Sequence, residues 1–153
     1  MKTLKENKGF TLIELLAVIV VLAIVMVLAT TTVLPYMANA RKESFALEAN
    51  TAKDAASQAV SLILIGSVKD NYTKTSNGYC FTIKNLVDLG LFEKEDANYK
   101  GVVQVTQTNN AFTYLVKMKN SQYYVTQSSS GNVEASHVTE GTPNATQVPE
   151  ACS

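Results

Sequence analysis

A single carboxylate inside a long apolar run is the first residue here with a chemical task. From Phe10 to Leu34 the only formal charge is Glu14. A carboxylate at the centre of a membrane helix costs about 2.5 to 3.5 kcal/mol on insertion scales, so Glu14 calls for a partner or a use. The next candidates are Cys80 and Cys152, the only cysteines, and His137, the only histidine. Two thiols and one imidazole make a poor zinc set, and an even cysteine pair in an oxidising compartment is more often a disulfide than a reactive thiol. We read Cys80 to Cys152 as a bridge. In the chain-entropy model it closes a loop of about 73 residues and adds roughly 4 kcal/mol. No Gly-rich phosphate loop, nucleophile elbow or H-E-x-x-H pattern occurs, so the expectation is no catalytic residue, no cofactor and no metal.

The element that positions Glu14 is the apolar run itself. As a helix, Phe10 to Leu34 reaches about 37 Å at roughly 1.5 Å per residue, enough to span a bilayer core of about 30 Å. Ahead of it lies a basic leader with Lys2, Lys5 and Lys8, which the positive-inside rule holds in the cytoplasm and which therefore places both cysteines outside. One reading is a secretory signal peptide cut after Val27-Leu28-Ala29, giving a soluble product.

The other reading starts from Lys8-Gly9-Phe10-Thr11-Leu12-Ile13-Glu14-Leu15-Leu16. This stretch resembles the leader and first helix of type IV prepilins. The resemblance covers about the first 30 residues. It implies cleavage by a prepilin peptidase between Gly9 and Phe10, N-methylation of Phe10, and a role for Glu14 in subunit assembly, beside the Phe10 amine of a neighbouring copy. It also implies a homopolymer of pilin subunits built by the pilus assembly machinery from a pool in the cytoplasmic membrane, with the head extracytoplasmic and the final product an extracellular filament. Adhesion, twitching motility and DNA uptake are all open to such a filament. A pseudopilin of a type II secretion or competence system shares this N-terminus. The major secretion pseudopilin typically carries a calcium site near its C-terminus, whereas the tail here, from Ser128, has no aspartate. A third reading, of another class, is a membrane-anchored binding protein that never polymerises.

Composition limits the rest. The chain has 13 basic and 13 acidic residues; a leader of residues 1–9 would remove three lysines and Glu6, leaving 10 against 12. That balance is no footprint for nonspecific nucleic-acid binding, and no specific nucleic-acid partner is inferred. Past the membrane segment there is room for one modest domain.

Along the chain, Thr30, Thr31, Thr32, Val33 and Pro35 point to a helix break at Pro35, as a kink or a melted segment, or equally, in the isolated subunit, to a continuous helix with mild curvature, with melting favoured in a packed filament. Phe45, Ala49, Ala52, Ala56, Ala59 and Ile63 recur at helical spacing, with Arg41, Lys42, Glu43, Glu48, Lys53 and Asp54 between them as a wet face. The helix should stop at Gly66. Residues 67–79 read as a surface loop. Thr82 can cap a short helix ending at Gly90.

Three period-two stretches follow, at Val103 and Val105, at Phe112 to Met118, and at Tyr123 and Val125. They predict an antiparallel meander of about three strands packed on the long helix. The tail from Ser128 is Ser-, Thr-, Gly- and Pro-rich, and its terminal cysteine argues that it folds back. The expected architecture is α+β and type IV pilin-like: residues 1–9 a prepilin leader, 10–35 a hydrophobic membrane and filament-core helix, 36–66 the amphipathic half of the same helix, and 67–153 a globular head.

Overall fold

The structure, a computed structural model, describes residues 10–93, 98–109, 111–126 and 131–152. The expected leader, with Gly9, lies outside them. The long helix α1 runs over Leu12–Leu64 and the chain forms two compact units, Met1–Asn39 and Ala40–Ser153.

In the first unit α1 is apolar on every side. Each large apolar side chain from Leu12 to Leu28 keeps more than half of its surface exposed, as expected of a helix whose natural surroundings are lipid or other helices rather than water. Of the two readings at Pro35 in the isolated subunit, the structure has the continuous helix, α1 passing through the proline. Proline removes one hydrogen bond, and the intact turns on both sides carry that loss since extending an existing helix is far cheaper than starting one.

In the second unit the alanine-rich stripe of α1 is buried as its spacing predicts. Phe45, Ala49, Ala52, Ala56 and Ala59 are all at most 3 % exposed, with Ile63 at the margin of the core. Ala46, Ala55 and Val60 widen the stripe. Small side chains let the sheet approach closely, and the opposing residues are large: Phe81, Leu86, Val103, Val105, Val116 and Met118. Phe45 stacks on Tyr99 and tilts against Tyr123, with ring centroids 6.2 and 6.1 Å apart. The Tyr114 hydroxyl meets Ser57 Oγ at 3.2 Å, tying the sheet to the helix. Gly66, at φ +76°, ends α1 as expected: its N–H bonds to Ile63 O and that of Ser67 to Leu62 O, closing the helix with a left-handed residue.

Among the described residues the sheet has six strands rather than three. All pair antiparallel in chain order: β1 (Thr73–Thr75), β2 (Gly78–Thr82), β3 (Lys100–Thr108), β4 (Ala111–Lys119), β5 (Tyr123–Thr126) and β6 (Thr139–Glu140). The three predicted strands are β3, β4 and β5. Those that sequence patterning passed over are short, and β1 and β6 are edge strands recruited by backbone pairing to β2 and β5. Residues 67–79 are thus a loop leading into a hairpin. Between β2 and β3 the short helix α2 (Ile83–Asp88) carries the predicted Thr82 cap, reciprocated by Asn85.

Gly101 in β3 has φ +143°, and a Cβ there would stand 2.0 Å from Lys117 O. Only glycine lets the two strands meet at that point.

The C-terminal tail is folded. Cys80, Val102 and Val148 are buried at 1 % or less yet stand outside the helix-side core. Strand alternation puts Cys80 and Val102 on the sheet face opposite Phe81 and Val103. The disulfide Cys80–Cys152 fixes the tail to β2. Glu150 adds a clamp, its two oxygens meeting Lys119 Nζ at 2.8 Å and Lys100 Nζ at 3.1 Å. These lysines are register partners on β4 and β3.

On the helix side, Asn50 donates to Val133 O and accepts from Val133 N, both at 2.8 Å, as a neighbouring strand would. Lys53, expected on the wet face, is 9 % exposed: its Nζ donates to Asn132 Oδ1 at 2.9 Å and Gly131 O at 3.1 Å. The tail supplies the oxygens that allow this ammonium to leave water.

Replacing Cys80 or Cys152 by Ser should therefore lower stability by about 2 to 4 kcal/mol, read as a fall in the melting midpoint under non-reducing conditions. Hydrogen exchange should accelerate first in residues 144–152. Two titratable thiols in native, unreduced protein would overturn the bridge.

Candidate processing and assembly site

The sequence places Phe10, Thr11 and Glu14 at the mouth of α1, and the structure joins the last two. Thr11 N and Thr11 Oγ1 both donate to Glu14 Oε2 at 2.9 Å, and Glu14 N donates back to Thr11 Oγ1 at 3.4 Å. This is a capping box: Thr11 closes the first turn, and the carboxylate three residues on satisfies the cap's own N–H. Glu14 is also the acidic residue of that turn, where the helix dipole favours negative charge. The signal was present in the sequence as Thr-x-x-Glu before an apolar run. Thr11, the hydrogen-bond partner of Glu14, is the residue that the reading centred on charge passed over.

The geometry bears on cleavage as well. Phe10 and Thr11 precede the helix, and Phe10 is 91 % exposed. Phe10, on the C-terminal side of the expected cut, therefore lies outside the helix. In the uncut chain the Phe10 nitrogen is an amide, and it is Thr11 that engages the Glu14 carboxylate.

The other predicted site residues lie apart. Pro35 is within α1, and Cys80 and Cys152 are joined in the second unit. Among the described residues no group of three or more His, Cys, Asp or Glu side chains could hold a metal. His137, in a single 3-10 turn, accepts from Glu134 N through Nδ1 at 3.1 Å.

The Glu150 clamp gives the tail a pH response. Hydrogen bonds from Lys119 and then Lys100 hold its carboxyl below the usual carboxylate range. A depressed folded pKa means that the contribution is present above the unfolded value, about 4.3, and is lost as pH falls through the lower folded value. Measured against the intrinsic exchange rate at each pH, tail amides around residue 150 should thus lose protection as pH falls below the unfolded value of about 4.3, and Glu150→Gln should remove that step. An unchanged pH profile in the variant would refute it.

A comparison with protein families matches residues 4–30 to the prokaryotic N-terminal methylation motif. Together with the long helix and antiparallel sheet, the match supports a type IV pilin-family, prepilin-like protein. Among the described residues one helix, α1, is long and apolar enough to cross a membrane, which fits a membrane-anchored precursor. Comparisons with curated proteins and with solved structures give no match.

Proposed function

We propose that this chain is a structural subunit of a type IV pilus, cut after Gly9, N-methylated at Phe10, held in the cytoplasmic membrane with its head outside, and polymerised through α1 into a surface filament. The observation that carries the reading is the apolar surface of α1 in the first unit, exposed on all sides and headed by a processing motif. Such a surface is stable in lipid or against other apolar helices and in neither case in water. A filament of copies supplies the second environment after the membrane has supplied the first. The prepilin peptidase and the assembly machinery are the partners that this route requires.

The test is mass spectrometry of filaments sheared from the cell surface. Abundant recovery of the chain supports a pilus subunit. Recovery only in the membrane fraction, under conditions where the strain makes filaments, would replace it with a solitary anchored protein. Filaments that appear only when a secretion system is overproduced would make it a pseudopilin.

A further inference from the structure

A cleft of about 480 Å³ opens at the free end of the sheet, where the β1–β2 turn faces the end of β3. Its lining includes Lys74, Ser76, Asn77, Tyr79, Gln107 and Asn109. The walls are fixed by the backbone: Gln107 N donates to Asn77 O at 2.7 Å, and Asn109 holds φ +48° at the end of β3. Tyr79 is braced from behind, edge-on to Tyr72 at 5.6 Å and tilted against Phe81 at 6.5 Å. Strand alternation puts Tyr79 and Gln107 on one sheet face.

The side-chain amides of Asn77, Gln107 and Asn109 are not used in the hydrogen bonds that hold the described residues together. Asn50, Asn85, Asn120 and Gln147, by contrast, use their side-chain amides to bond backbone groups. Three planar amides, each able to donate and accept, a hydroxyl and a braced aromatic ring thus converge on one space without an internal task.

We propose that this cleft binds a short oligosaccharide. Paired donor and acceptor groups match vicinal sugar hydroxyls, a fixed aromatic ring suits the apolar face of a pyranose, and the volume falls within the range of small-molecule sites. The lining contains one charge, Lys74, and no carboxylate. Sugars bearing a carboxylate therefore bind more tightly than their neutral parents, and added salt narrows the difference.

The probe is an array of immobilised neutral and sialylated oligosaccharides, exposed to the full chain in detergent so that the result does not depend on filament assembly. Hits are then titrated in solution. Binding should weaken about five- to tenfold in Gln107→Ala and in Asn77→Ala, the loss expected for one or two hydrogen bonds. Lys74→Ala should bring acidic and neutral sugars to equal affinity. Lys84→Ala, outside the cleft, should bind as wild type, and unchanged melting curves would show that all variants fold. No binding to any saccharide, binding untouched by both amide variants, or equal capture of a sulfated non-sugar polymer would each overturn the proposal.

Discussion

Intact-mass analysis of the mature protein should give a chain that begins at Phe10 and carries one additional methyl group. We expect cleavage at that bond rather than at the secretory alternative, Ala29–Thr30. Thr30 lies well inside α1, with its hydroxyl donating to Val27 O at 3.0 Å, so cutting there requires unwinding a helix to bring an extended strand into a protease. Phe10 stands ahead of the first helical turn, and Thr11 marks where that turn starts. Cleavage at the leader therefore leaves α1 whole and its apolar surface in the membrane. Gly9→Leu should leave essentially all of the protein at full length. An N-terminus at Thr30 with a soluble product would remove the basis for the pilus reading, because the element proposed to build the filament would be gone.

What could be read in the sequence was local and periodic. The alanine stripe of α1, its end at Gly66, the Thr82 cap and strands β3 to β5 all carry their signal within a few residues. What escaped depends on partners far along the chain. Lys53 adjoins Asp54 in sequence and looks wet, but Gly131 and Asn132 reach it from 78 and 79 residues away. Asn50 is an unremarked polar residue until Val133 lies beside it. Strand β1, Thr73-Lys74-Thr75, is mostly exposed; it pairs through backbone groups, which any residue except proline supplies. The fold of the tail was foreshadowed only by its last cysteine. Val133, Val138 and Val148, isolated among polar residues, prove to be its anchors. At the site, Glu14 stood out because charge in an apolar segment is expensive, and the same argument drew attention away from Thr11.

Thr11 changes how the role of Glu14 is tested. The resemblance to pilins suggests that after cleavage the Glu14 carboxylate of one subunit meets the Phe10 amine of its neighbour, while the structure gives the carboxylate a local task in capping its own helix. Substitutions separate these. Glu14→Gln keeps an oxygen that can accept from Thr11 N and removes the charge. Thr11→Ala removes the cap, at about 1 kcal/mol, and leaves the charge. Glu14→Val removes both.

An amine left unpaired in an apolar bundle costs about 3 to 5 kcal/mol, a loss of at least about 100-fold in assembly. If the pair between subunits governs assembly, Glu14→Gln and Glu14→Val should both be cleaved, remain in the membrane and be nearly absent from filaments, whereas Thr11→Ala assembles. If capping governs it, Thr11→Ala should be as deficient as Glu14→Val, and Glu14→Gln should assemble. The readout is the ratio of each variant in sheared filaments to its membrane pool, in a strain lacking the native copy. We expect the first pattern, because a cap at the exposed end of a 53-residue helix is a small part of its stability, whereas an uncompensated charge must be carried into the apolar interior by every subunit added.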